Sequence, residues 1–107
     1  MTVANQISIK AIEGKEKVLK EVLNELVAST LLEKGCQKYE LYQLFDVRSS
    51  FFILEIWKSE KRYNAYLKSE HYLEQMESIK PLIETETIHA LKLTQCLTKL
   101  GLKEEKK

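Results

Sequence analysis

The reading of the chain turns on Phe51–Tyr72, FFILEIWKSEKRYNAYLKSEHY. Its first seven residues are apolar but for one carboxylate, with Phe51, Phe52, Ile53, Leu54, Ile56 and Trp57 around Glu55. A short apolar run rich in aromatic and branched residues predicts a central strand covered on both faces. From Ser59 the pattern changes. Ser59 ahead of Glu60 and Arg62 is a helix start, and Tyr63, Tyr66, Leu67, Leu73, Met76 and Ile79 continue at helical spacing up to Lys80. Ser69 is placed to cap a second segment beginning near Glu70, so the helix is expected to break in two. Pro81 stands near its end. The only Trp, three of the five Tyr and one of the two His therefore meet at a single strand–helix junction.

Outward from this stretch, Val3 to Ile12 alternates with period two, with Val3, Asn5, Ile7, Ile9 and Ala11 on one face, and predicts a first strand ended by Gly14. Lys15 to Glu33 carries Val18, Leu19, Val22, Leu23, Leu26, Val27 and Leu31 on one side and predicts an amphipathic helix stopped by Gly35. Gln37 to Val47 reads as a second strand, with Arg48-Ser49-Ser50 as the turn into the third. Thr85 to Thr94 alternates again and predicts a fourth. The folded domain is placed at 1–96 and a polar tail at 97–107. The order β-α-β-β-α-β, with right-handed crossovers, gives an α+β ferredoxin-like plait with both helices on one sheet face. The third strand is apolar on both faces: Phe52, Leu54 and Ile56 one way, Phe51, Ile53 and Trp57 the other. A second copy packed sheet to sheet is the simplest cover, which predicts a homodimer.

Composition excludes several classes. Lys plus Arg is 17 against 16 Asp plus Glu, with signs interleaved, so no nucleic-acid partner is expected. No run approaches the roughly 20 apolar residues that span a bilayer, and the N-terminus does not read as a signal peptide. No membrane partner and a cytoplasmic location are expected. Cys36 and Cys96, outside any C-x-x-C pair, predict two reduced thiols and no zinc. Two histidines far apart predict no metal site.

The segments GKEKVLKEVLNELVASTLLEKGCQKYELYQ and FFILEIWKSEKRYNAYLKSEHY together resemble the antibiotic biosynthesis monooxygenase family of the dimeric α+β barrel superfamily. The shared pattern is Gly then charge before helix one, Glu33-x-Gly35-Cys36 before strand two, Glu55-x-Trp57 closing strand three, and Ser69-x-His71-aromatic on the following helix. It covers roughly Val3 to Leu93. The resemblance implies a small oxygenase that needs no metal, flavin or other cofactor. Its substrate would be a small aromatic, phenolic or quinol-like molecule that supplies the electrons, held in a dry pocket between sheet and helices. Three positions depart from the family. Tyr66 stands where the family often has His. Met76 stands where the haem-degrading branch has its axial His, which weighs against haem chemistry. Glu33-Lys34-Gly35 replaces the common Glu-Pro-Gly.

On this basis Asn5, Tyr66 and His71 are the candidate catalytic residues, and Trp57, Tyr63, Tyr42 and Glu55 the candidate substrate-binding ones. Each has a structural alternative. Asn5 is an amide on an apolar face that needs partners, or a strand-end residue in water. Glu55 must be hydrogen-bonded, paired or protonated if buried, and a raised pKa would make it a base. The Tyr63 and Tyr66 hydroxyls hold a phenolate or are tied off in the core. His71 transfers protons or fixes the helix break. His89, alone on strand four, reads as structural. The rival to an enzyme is a ligand-binding or stress-related dimer of the same fold without chemistry.

Overall fold

The structure, a computed structural model, describes residues 2–92. Its elements are β1 (Val3–Ala11), α1 (Glu16–Thr30), β2 (Cys36–Gln43), β3 (Ser50–Trp57), α2 (Glu60–Leu67), α3 (Glu70–Ile79), a 3-10 turn (Lys80–Leu82) and β4 (Ile83–Leu91). The sheet is antiparallel in the order β2-β3-β1-β4. This is the ferredoxin-like plait expected from the sequence, with β3 and β1 central. No helix among the described residues is long and apolar enough to cross a membrane.

Burial follows the residue pattern. Leu19, Leu23, Leu26 and Thr30 form one buried stripe of α1. It packs on Ile9 and Ala11 of β1, Tyr39 of β2, and Phe51 and Ile53 of β3. Along β3 the odd-numbered residues are buried and the even-numbered ones half-buried. One face therefore meets the helices, while Phe52, Leu54 and Ile56 lie on the open face. The helix break falls where the serines place it. The Ser59 hydroxyl accepts from the Arg62 amide at 3.2 Å, and that of Ser69 accepts from the Tyr72 amide at 3.2 Å while donating to the Tyr66 carbonyl at 2.6 Å.

Three boundaries differ from the sequence pattern. Helix α1 ends at Thr30, three residues before Glu33. There the Ser29 hydroxyl donates back to the Glu25 and Leu26 carbonyls, and the chain tightens through Leu32 N–H to Ser29 and Glu33 N–H to Thr30. Such back-bonding competes with continuation of the helix. Strand β2 ends at Gln43 rather than Val47: Leu44–Val47 loops away and Phe45 is fully exposed. Strand β4 begins at Ile83, before Thr85, and the expected end at Thr94 lies outside the described residues, as do Cys96 and the 97–107 tail.

Gly14 and Gly35 both have φ +86°, but only Gly35 is also crowded. A Cβ there would lie 2.6 Å from both Cβ and Cγ of Arg62 on α2, whereas none lies within 4 Å at Gly14. The close approach lets the Gly35 carbonyl accept from the Lys58 amide at 2.7 Å and fixes where α2 departs from the sheet. Gly14→Ala is expected to lower stability by the left-handed penalty alone, roughly 1–2 kcal/mol. Gly35→Ala should lower it clearly further, because backbone and Arg62 must both shift. Denaturant unfolding of the two variants side by side checks the ordering.

Candidate active site

The site begins with strand register. Asn5 of β1 stands directly opposite Glu55 of β3, and Trp57 lies two residues further along β3 on the same face. The Asn5 amide donates to Glu55 Oε2 at 3.0 Å, and the Trp57 indole N–H donates to Glu55 Oε1 at 2.8 Å. Glu55 is 2% exposed. Its carboxylate is held by two neutral donors with no cation among them. Burial therefore raises its pKa, and the two hydrogen bonds recover only part of the shift. Each carboxylate oxygen retains one lone-pair direction.

Above this clamp lies a layer of aromatic rings. Trp57 packs against Tyr66 at 4.6 Å between centroids and against Tyr63 at 6.0 Å, and Tyr66 meets Tyr72 edge-on at 4.9 Å. The break at Ser69 makes this possible, since Tyr66 closes α2 and Tyr72 opens α3. A cavity of about 30 Å³ lies between sheet and helices, lined by Glu55, Tyr39, Tyr63, Tyr66, Tyr72 and Met76, among apolar neighbours. That volume holds one or two waters, while a benzene-sized ligand takes on the order of 150 Å³. An aromatic ligand must therefore displace side chains. The means are at hand on one side: Ile88 of β4 is 53% exposed, Glu86 beside it is exposed, and the half-buried Tyr63, Leu67, Tyr72 and the flexible Met76 line the same side of the cavity.

The field of the buried carboxylate reaches every tyrosine here. Burial pushes the Tyr63 and Tyr66 hydroxyls up to about 12, and the charge of Glu55 adds to the shift in both. Tyr39 and Tyr72 are raised too, again chiefly by burial, with Glu55 contributing to both and Glu86 to Tyr72.

The residues singled out in the sequence fall in three places. Glu55, Tyr63 and Tyr66 line the cavity. The Tyr66 hydroxyl is already engaged, 3.1 Å from that of Thr30. Asn5 and Trp57 sit one layer behind, holding Glu55, and Trp57 is completely buried rather than forming an open wall. His71 is not among the lining residues: its Nε2 lies 2.8 Å from the Ser29 hydroxyl, tying the start of α3 to the end of α1. Tyr42 corrects the expectation. It points to the other face of the sheet, stacked on Phe52 at 4.8 Å and donating to Glu40 at 2.8 Å, because it pairs with Phe52 rather than with an odd-numbered β3 residue. Sequence reasoning did not select Tyr39, Tyr72, Glu86 or Ile88. Tyr72 alone carried a usable signal, following His71 in the Ser-x-His-aromatic step.

Residues 2–78 match the antibiotic biosynthesis monooxygenase family. The chain belongs to that family. Among solved structures, it is similar to PA3566 from Pseudomonas aeruginosa at 26% identity and a TM-score of 0.79, with 84% of this chain and 91% of that one covered. Rv0793 from Mycobacterium tuberculosis aligns at 20% identity and a TM-score of 0.81, covering 92% of this chain and all of the other (100%). A variant of SnoaB, a cofactor-independent oxygenase from Streptomyces nogalater, aligns at 14% identity and a TM-score of 0.82, covering 92% and 98%. The last two likenesses establish the antibiotic biosynthesis monooxygenase fold. No curated protein sequence matches the chain.

Because the Glu55 pKa is raised on folding, the native state keeps this proton at pH values where the unfolded chain has lost it. Its contribution is thus fully present below the ordinary carboxylate range and is lost as pH rises through the folded value. Glu55→Gln removes the titration, and the Asn5 amide can turn to offer its oxygen. The stability of wild type relative to Glu55→Gln should therefore fall as pH rises from the ordinary carboxylate range toward neutrality. Parallel denaturant titrations at the two ends check this, and a constant difference would contradict it.

Proposed function

We propose that the protein is a cofactor-independent monooxygenase of small phenolic or quinol-like aromatics, with Glu55 as the base. The observation that carries this reading is a carboxylate buried beside an aromatic-walled cavity, oriented by Asn5 and Trp57. Family membership supports the reaction class. A phenol entering from the β4 side gives its hydroxyl proton to Glu55. The phenolate then passes one electron to dioxygen, and the two radicals join at an unsubstituted ring carbon ortho or para to the oxygen, an ortho one in a hydroquinone. The new peroxide takes the proton back from Glu55. Loss of the ring hydrogen breaks the O–O bond and releases water, so phenol plus dioxygen yields quinone plus water. All four electrons come from the substrate.

The chain's own groups set the cost of the first step. Transfer to Glu55 moves the negative charge from carboxylate to substrate without adding one to a dry cavity. Any more distant acceptor would leave two anions side by side. Asn5 and Trp57 act as positioning residues, because they fix the carboxylate and satisfy two of its lone pairs. Tyr63, half-buried and close to the Asn5 amide, is placed to donate to the phenolate oxygen. His71, bonded to Ser29, is assigned to the helix junction on this reading, and Tyr66 to the cavity wall.

Oxygen uptake with hydroquinones and polycyclic phenols is the test. Glu55→Gln is expected to lower turnover by about 10²–10⁴-fold, as for loss of a positioned proton acceptor. Tyr66→Phe should have a smaller effect, and His71→Ala should cost thermal stability rather than turnover. Full activity in Glu55→Gln would remove the base from this role. Absence of turnover with every phenol would favour the binding-protein alternative.

We also propose a homodimer formed through the open sheet face. Phe52, Leu54 and Ile56 are half-buried there, flanked by Tyr42 and Leu91 at 43% and 40% exposed, a row that a second sheet would cover. Sedimentation should give twice 12.5 kDa for wild type and the monomer mass for Leu54→Lys. A wild-type monomer at micromolar concentration would overturn this.

A further inference from the structure

The whole chain is balanced in charge, with 17 basic against 16 acidic side chains. The cavity is not. Its described lining holds two carboxylates, Glu55 at the floor and Glu86 on the β4 side, and no Lys, Arg or His. Basic side chains of the described residues have other settings: Lys10 pairs with Glu84 at 3.3 Å, Lys80 pairs with Glu77 at 3.3 Å, and Arg62 and Lys34 line a separate hollow with Glu33. The asymmetry at the cavity is local and is not a consequence of composition.

We propose that the cavity is a charge filter, admitting neutral or cationic aromatics that carry an O–H or N–H and rejecting those that carry a carboxylate or phosphate. This rests on the cavity being the substrate site, and it goes beyond that reading by naming which substrates enter. Three features of the geometry support it. Glu55 has a free lone pair on each oxygen and so accepts a donor from a ligand, while an anionic ligand brings a like charge against it in a buried site with room for at most a water or two. Tyr63, Tyr66 and Tyr72 cluster in the cavity wall, and the face of such a ring attracts an ammonium group. Glu86 extends the negative potential outward to the approach side. The tyrosines already report the same field: each would-be tyrosinate in the cluster is disfavoured by Glu55 in addition to burial. A ligand carboxylate would add a second negative charge beside Glu55, whereas proton transfer from a neutral phenol to Glu55 leaves only one in the cavity.

The test compares three ligands of one shape: methylhydroquinone, aminomethylhydroquinone and hydroquinone carboxylate. Binding is followed anaerobically near neutral pH by quenching of Trp57, the only tryptophan, so that it is read independently of turnover. The ammonium compound is expected to bind at least as tightly as the neutral one, and the carboxylate at least about tenfold more weakly. Glu55→Gln should shrink the gap between carboxylate and neutral ligand. Glu86→Lys, on an exposed side chain, should shrink it as well, which keeps the test open if the Glu55 variant folds poorly. Equal or tighter binding of the carboxylate, or an unchanged gap in Glu86→Lys, would overturn the filter. The two readings fail separately. The predicted order of affinities without oxygen uptake in air leaves the filter standing and removes the oxygenase. Oxygen uptake with equal affinities does the reverse. No binding of any of the three at millimolar concentration overturns the filter and the substrate site together.

Discussion

A single buried carboxylate organises this protein. Glu55 forms no ion pair among the described residues and is held by an amide and an indole from the two central strands. An unmet acceptor at such depth costs about 1–3 kcal/mol, more when charged. The clamp therefore also fixes register. A one-residue slip of β1 against β3 would turn Asn5 to the open face and strand the carboxylate. The same bond that orients a chemical group thus selects one pairing of the strands, and with it the apolar face on which α1 rests.

The helices complete the environment that the clamp needs. Ser69 ends one helix and caps the next, and this brings Tyr66 and Tyr72 into edge contact over Trp57. An unbroken helix would place these two tyrosines six residues apart, on differing faces. The His71–Ser29 and Tyr66–Thr30 contacts tie both short helices to the end of α1. The loop after α1 is held in turn by Gly35 against Arg62. The roof of the cavity is anchored on the α1 side and is less constrained toward β4, whose residues beyond Ile83 are exposed. Access from the β4 side, where the smallest displacements open space, follows from that difference.

Most of this frame was legible in the sequence, because it rests on periodicity and caps. The parity of β1 put Asn5 on the helix-facing side, and the two-residue spacing of Glu55 and Trp57 put both on one face. Ser59 and Ser69 marked the two helix starts. What escaped depends on partners distant in the chain. Tyr39 and Tyr42 are three residues apart and so lie on opposite faces of β2. Apolar neighbours on both sides, Leu41 and Leu44, give no clue to which one points inward. Only the pairing of Tyr39 with Glu55, set by an irregularity between Cys36 and Lys38, decides it. Glu86 and Ile88 join the cavity through the β1–β4 register alone. His71 looked chemical because of its residue type, yet its ring is turned to a serine on another helix.

The charge at position 55 is itself an argument. A strand this deep in the domain is stabilised by apolar side chains, and a neutral amide at 55 could satisfy one donor while avoiding the penalty of burying a carboxylate. The ionised form is the less stable choice for packing, as its raised pKa records. What a carboxylate offers and an amide lacks is the ability to take up a proton. In a cavity where burial raises the pKa of four lining tyrosines, it is a group able to accept a proton. The setting that makes it costly, burial with only neutral donors as partners, is the setting that keeps it basic: an arginine in place of Asn5 would lower both the cost and the basicity. Burial raises both the cost and the proton affinity of this carboxylate, and the same two hydrogen bonds lower both, so neither can be changed without changing the other.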